Sequence, residues 1–526
     1  MRPAHKHRRT QAVLLSFALD PQATAPLQRQ LYAQVREAVL TGRIAPGTRL
    51  PATRSLAAEL GCSRNTVLNA FEQLGAEGYL ESRPGSGTYV SRVLPDSLPI
   101  RPADDGDDHW RHGATALSSG HEHPPIGGSR EPDPGAEPAS AARVFAPGVP
   151  DLNLFPFDVW GRLLGRIWRR PPPALLLPGS PAGYLPLRRA IAAYLRAVRS
   201  VACTAEQVLI TGGAQPALDL VARVLLKPGD AVWIEEPGYP GLRGPLQSAG
   251  ARLVPVPVDG AGLSVAAGCA LAPAARLAVV APSHQYPLGT TMDLARRLAL
   301  LAWAEDSGAW VVEDDYDSEY RYAGRPLAAL QGLEAERATG GGRVIYIGTF
   351  SKVLFPSIRL GYLVVPPNLL EAFLRARAAR DAYPSAVVQP VLAAFFEEGH
   401  FAAHVRRMRM VYSRRRQAML DAAERHLAGL LALSPGQAGL HLVAYLAAGL
   451  AHRMNDREAE RRAVATGLGA QALSRYYFVP PGETAAGGPS PADLLLAPEG
   501  LLLGFAAVPE DEIERGIERL AAALAG

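Results

Sequence analysis

VIYIGTFSKVLFPSIRLGY, residues 344–362, sets a β-branched apolar run against a hydroxyl-bearing turn, a lysine and, seven positions further on, an arginine. The run VIYIG predicts a buried strand. The residues that follow then stand at the strand's carboxyl end, where α/β sheets bind their ligands. Lys352 is one of three lysines among 54 basic residues, the others being Lys6 and Lys227. A chain that uses arginine nearly everywhere has little reason to keep a lysine on an ordinary surface. Thr349 and Ser351 supply hydroxyls and Arg359 a guanidinium, suited to share one phosphate. An amine beside a phosphate-binding cluster suggests an aldehyde-bearing phosphate cofactor held as a Schiff base.

Similar apolar runs surround this stretch: QVLIT (207–211), AVWIEE (231–236), LAVVAP (277–282) and WVVEDD (310–315). Helical patterns separate most of them, for example 216–226 and 293–307. Near-continuous apolar strands with helical crossovers predict a parallel sheet covered on both faces. Beyond Pro384 the pattern turns to long helices (386–431) and then to a short-stranded α+β tail. The reading is an α/β domain with a smaller C-terminal subdomain.

The strand ends offer the other parts that pyridoxal phosphate needs. Asp314 stands at the end of WVVEDD and can pair with a pyridinium nitrogen, and Tyr316 comes two residues later for the phenolic oxygen. TGGAQPALDL opens a helix after a strand, so the amides around Gly213 and Ala214 can cradle a phosphate. EEPGYPG places Tyr239 to stack on a ring, and SHQYPLGT gives His284 and Gln285 as polar neighbours of the ring oxygen.

The N-terminal part reads differently. Residues 1–94 hold twelve Arg/Lys against six Asp/Glu, and residues 95–142 three against nine, so the positive charge lies at the N-terminus. In 26–42, Leu27, Leu31, Val35, Val39 and Leu40 share a helix face that Gly42 ends. Thr53 is expected to cap a short helix, RSLAAEL, stopped by Gly61; Ser63 is expected to cap a third, with Val67, Phe71 and Leu74 inward. The two short helices have helix-turn-helix spacing, and the third presents Arg64, Asn65 and Thr66 at its first turn. YLESRPGSGTYV (79–90) follows as a two-stranded wing.

RLPATRSLAAELGCSRNTVLNAFEQLGAEGYLESRPGSGTYV (49–90) closely resembles the winged helix of GntR regulators. That resemblance implies DNA contacts by Arg54, Ser63, Arg64, Asn65, Thr66 and the wing at Gly85. EEPGYP, APSHQYPLG, VVEDDYDSEYRY and YIGTFSKVLFPSIRLGYLVVP resemble fold-type I aminotransferases, and the combination resembles the MocR/GabR subfamily of GntR regulators. Carried over by position, Lys352 is the Schiff-base lysine, Asp314 pairs with the ring nitrogen, Tyr316 with the ring hydroxyl, and Tyr239 stacks. Arg359, Thr349 and Ser351 bind phosphate. Gly183-Tyr184 resembles a segment reaching the partner subunit's cofactor phosphate, and Arg475 in LSRYYF stands where such enzymes clamp a substrate carboxylate.

The expected organisation is a disordered basic arm (1–25), a winged helix-turn-helix (26–91), an acidic Pro/Gly-rich linker (92–142) and an aminotransferase-like domain (143–526). Cys62, Cys203 and Cys269 have no metal-ligand spacing, so no metal is expected. With no apolar run of membrane-spanning length and no cleavable leader pattern, the expected location is cytoplasmic. The expected function is a homodimeric, DNA-binding regulator sensing pyridoxal phosphate or an amino compound, with little or no turnover. A working aminotransferase with a DNA-binding appendage shares every cofactor residue and stays open.

Overall fold

Strands whose residues alternate between two buried faces account for the unbroken apolar runs. The computed structural model describes residues 17, 19–20, 26–40, 43–76, 79–83, 87–91, 143–322, 327–335, 342–478 and 498–525. It divides into two compact units, Met1–Leu68 with Gly78–Ala142, and Asn69–Glu77 with Arg143–Gly526.

In the N-terminal part of the chain, helices Leu27–Leu40, Thr53–Glu59 and Arg64–Ala76 precede strands β1 (Leu80–Arg83) and β2 (Gly87–Val90), paired antiparallel with Leu80 opposite Val90. Leu31, Val35, Val39, Leu56, Val67, Phe71 and Leu74 are buried. The second helix starts at Thr53 itself, with Ala52 in the cap position and no side-chain cap bond. It ends in a Schellman-type bond, Cys62 N to Ala57 O at 3.0 Å, around Gly61. Ser63 does cap the third helix: its Oγ accepts from Thr66 N at 3.1 Å. Gly42 lies outside the described residues, as do residues 1–16 of the basic arm and the linker from Arg92 to Ala142.

The larger unit is built on an eight-stranded sheet. Its strands are β3 (Val208–Thr211), β4 (Ala231–Glu236), β5 (Arg252–Asp259), β6 (Gly262–Leu263), β7 (Leu277–Val280), β8 (Trp310–Asp315), β9 (Val344–Thr349) and β10 (Gly361–Val364). The order is β3-β10-β9-β8-β7-β4-β5-β6. Val232, Ile234, Val279, Val312 and Ile347 bury into one layer with Leu218 and Val221, while Trp233, Val280 and Val311 bury into the other with Leu300 and Trp303. Trp233 and Trp303 stack with ring centroids 3.8 Å apart.

The sheet is mixed, which corrects the expectation of a parallel one. Strands β9, β8, β7, β4 and β5 are parallel neighbours, but β10 runs antiparallel between β9 and β3. β10 is only four residues long and follows a short turn, which admits an antiparallel return without a crossover helix. β5 has no strand signature of its own in the sequence because Pro255 and Pro257 interrupt it. Prolines are tolerated there because, among the described residues, β5 meets β6 only at Val258 and Asp259, and Pro257 contributes to that side only its carbonyl, which accepts from Ser264 N at 2.8 Å.

After helices Gln389–Glu397 and His400–His426, strands β11 (Leu431–Leu433), β12 (His441–Leu446), β13 (Gln471–Ala472) and β14 (Gly500–Gly504) form an antiparallel sheet of order β11-β12-β14-β13. Helix Glu510–Ala525 packs with it in the same apolar core. Among the described residues, no helix is long and apolar enough to cross a membrane.

Candidate functional site

The carboxyl ends of β8 and β9 bring Lys352 and Asp314 into one electrostatic cluster. Lys352 Nζ donates to Gly148 O at 2.8 Å. Burial holds its pKa below the ordinary lysine value, while Asp317 and Asp314 oppose that shift. The amine is therefore more readily neutral, the form that attacks a carbonyl. Gly148 belongs to a loop that carries no chemical signal in the sequence.

Asp314 is the least satisfied of the acids here. Its Oδ1 is buried and, among the described residues, has no hydrogen-bond partner. Burial, then Asp315 and Asp317, push its pKa up to about 7, with Lys352 opposing. Tyr316 OH lies 2.9 Å from His284 Nδ1. Tyr239 OH accepts from Gln215 Nε2 at 3.0 Å, which ties its ring to the start of helix Ala214–Leu225.

That helix start meets the other half of the cluster. Gly213 takes φ +113°, and a Cβ on it would lie 3.6 Å from Arg359 Nη1, so the guanidinium sits beside the helix N-terminus. A Cβ on Gly361 would lie 2.9 Å from Gly213 Cα, so β10 and the helix start approach at a distance only glycine admits. Arg359 itself is in the left-handed region at φ +47°. Thr349 Oγ1 accepts from Ser351 N at 3.2 Å, shaping the turn that follows β9. The amides at the start of helix Ala214–Leu225, the Arg359 guanidinium and the two hydroxyls are groups that could hold an anion.

Three further expected residues are engaged by protein groups. Gln285 donates to Pro237 O and Tyr286 O, each at 2.8 Å, and to Glu235 Oε2 at 3.3 Å, and accepts from Leu288 N at 3.0 Å. Tyr184 donates its amide to Gln389 Oε1 at 2.8 Å and packs its ring against the apolar layer of Phe350 and Val391. Arg475 donates Nε to Glu460 Oε2 at 2.8 Å, across from the neighbouring helix Asp456–Ala465. Asp317 and Glu235 join the site without having been expected there. Both are buried, and burial pushes Glu235 up to about 8. The signal for Asp317 is the density of acids in EDDYDSE, too many for one buried strand end to leave without partners.

In the N-terminal unit, Arg54, Arg64 and Asn65 are exposed, whereas Ser63 and Thr66 bond to each other, Oγ to Oγ1 at 2.8 Å, and hold the turn. Gly85 lies outside the described residues. Arg49, which the sequence does not single out, pairs across to Tyr89 of β2 and lays its guanidinium over Gly87.

Residues 27–90 match the model for bacterial regulatory proteins of the gntR family, and 174–475 that for aminotransferase class I and II. The chain is 42% identical over 507 residues, 96% of its length and 95% of the relative's, to a protein named as a probable rhizopine catabolism regulatory protein, MocR, of Rhizobium meliloti. The chain belongs to the MocR-type GntR regulators. Another member of this group, the pyridoxine biosynthesis transcriptional regulator PdxR of Corynebacterium glutamicum, is 32% identical over 95% of this chain and 96% of its own. The aminotransferase part of this MocR-type chain is similar in structure to LysN, the α-aminoadipate aminotransferase of Thermus thermophilus. The match has a TM-score of 0.63 at 30% identity, covering 73% of this chain and 92% of that one.

The Asp314 environment has a measurable consequence. A folded-state pKa of about 7 exceeds the unfolded carboxyl value, so the stability due to neutral Asp314 is complete at acid pH and is lost as pH rises through about 7. In protein freed of bound cofactor, Asp314→Asn should melt close to wild type near pH ~4, around the unfolded aspartate value, and clearly above it at about pH 8. Thermal melts across that range check this; a constant offset would contradict it.

Proposed function

We propose that this chain is a transcription regulator that binds operator DNA through its winged helix and pyridoxal phosphate through the Lys352 cluster, with an amino compound or the cofactor itself as effector. The observation that carries it is the buried, unpartnered Asp314 oxygen in the same cluster as the Lys352 amine. A protonated ring nitrogen is the partner such an oxygen lacks. When bound, pyridoxal phosphate supplies an amine-capturing aldehyde and an electron-withdrawing ring.

Lys352 would hold the cofactor through its amine, which burial keeps more readily neutral. Asp314 holds the ring nitrogen, Tyr316 the ring hydroxyl, and Tyr239 offers its ring face. Arg359, Ser351, Thr349 and the amides at Gly213 and Ala214 bind the phosphate. An effector carboxylate would have to compete with Glu460 for Arg475. Arg54, Arg64 and Asn65 face the DNA, while Ser63 and Thr66 fix the turn that presents them. The protein acts as a homodimer in the cytoplasm; the exposed apolar side chains of Phe157, Leu176 and Leu177 support a subunit contact. The relatives' names tie them to rhizopine catabolism and pyridoxine biosynthesis, which supports a small-molecule signal.

Purified wild type is expected to be yellow, with a borohydride-fixed adduct on Lys352 that Lys352→Ala abolishes. An adduct on Lys6 or Lys227 would contradict the assignment. DNA binding should weaken steeply with salt, as counterion release requires. Arg64→Ala is expected to cost about 1–3 kcal/mol on operator DNA and to reduce discrimination. Equal losses on operator and random duplexes would make Arg64 a phosphate contact.

A further inference from the structure

One nitrogen in the cluster faces three oxygens. His284 Nδ1 lies 2.9 Å from Tyr316 OH, 3.1 Å from Asp317 Oδ1 and 3.0 Å from Asp317 Oδ2. His284 is 2% exposed and Asp317 1%, so both are closed off from bulk solvent. Among the described residues, Asp317 has no side-chain partner other than His284. The imidazole cannot swing away. A Cβ on Gly439 would lie 1.9 Å from His284 Cε1, and one on Gly289 would lie 3.2 Å from its Nε2, so two backbone segments close on the ring edge.

The arrangement fixes a proton. An ionised carboxylate only accepts, and one that straddles a nitrogen with both oxygens needs a hydrogen on that nitrogen. Nδ1–H then also points at the Tyr316 oxygen, which becomes an acceptor. Were Nδ1 bare, the phenol would spend its own hydrogen on the imidazole. We propose that Asp317 and His284 are a positioning pair: by keeping a proton on His284 Nδ1, they turn the Tyr316 hydroxyl so that its hydrogen is left for the ring oxygen of the cofactor. This rests on the cofactor reading above. It assigns the pair an effect on the cofactor's electronic state that acts through Tyr316, beside the charge that Asp317 already exerts on Asp314 and Lys352 and in place of the direct contact with the ring oxygen expected of His284.

The test uses the full-length, cofactor-loaded protein and its visible absorption band. Tyr316→Phe sets the reference displacement. His284→Phe removes the N–H and should displace the band most of the way in the same direction, with no further displacement when combined with Tyr316→Phe. Asp317→Asn, close in shape to the native residue, should move the band the same way, because an amide can donate to Nδ1 and reverse the proton's place. His284→Asn, which returns an N–H near the position of Nδ1, should restore the wild-type band. A His284→Phe displacement that persists in full in the Tyr316→Phe background, or an unmoved band in Asp317→Asn, would overturn the inference. A wild-type protein with no Lys352-dependent band would overturn the cofactor reading itself, and this inference with it.

Discussion

Five carboxyl groups, Glu313, Asp314, Asp315, Asp317 and Glu319, crowd the carboxyl end of β8 where little of their surface reaches solvent, and much of the surrounding architecture answers that crowding. A buried carboxylate without a partner is costly enough to unfold a domain or to stay protonated. Arg199, at the end of helix Leu185–Arg199, reaches in to Asp315 at 2.8 Å and also bonds Ser283 Oγ and Leu327 O, each at 2.6 Å. Tyr346 of β9 and Ser318 bond the same carboxylate. Gln331 N donates to Glu313 at 3.3 Å, Tyr194 OH to Glu319 at 3.0 Å, and His284 meets Asp317. The helix, the neighbouring strand and the loops are thus registered against β8 by charge as well as by apolar packing. Asp314 is the exception, and the exception is where the ligand chemistry lies.

The same crowding explains why the cluster suits an amine-capturing cofactor. A cationic ring nitrogen beside Asp314 would complete the charge balance that the protein alone leaves open, and the Lys352 amine stands under the influence of two of these acids. Binding there shifts a conformational equilibrium only by as much as it is tighter in one state than in the other. An effector that alters the Lys352 linkage then changes the populations of DNA-competent and incompetent forms by no more than its own differential affinity. A regulator needs only that change, whereas an aminotransferase must also complete a second half-reaction.

What can be read from the sequence follows a physical divide. Strands buried on both faces declare themselves as unbroken apolar runs, and Lys352 stands out because the chain otherwise uses arginine. The winged helix is legible because capping, spacing and charge are local. What escapes such a reading is mostly long-range. Glu460 lies fifteen residues before Arg475 on a separate helix, and no local pattern announces that they pair. The bonds that Gln285 makes to the carbonyls of Pro237 and Tyr286 and to Glu235 are likewise invisible in its local sequence. β10 is hidden because its direction is set by the turn after Ile358 and not by its own four residues. One local detail also differs: Thr53 has the chemistry of a cap, yet the helix starts one residue earlier than that role requires.

The central claim is that the Lys352 cluster governs DNA affinity. Fluorescence anisotropy of the protein's own promoter fragment, titrated with wild type and with Lys352→Ala in the presence and absence of pyridoxal 5'-phosphate, tests it most directly. The account predicts that wild type binds the fragment with clearly different affinity in the two conditions and that Lys352→Ala binds with one affinity in both. Identical wild-type affinities with and without the cofactor, in protein that demonstrably carries it on Lys352, would contradict the account.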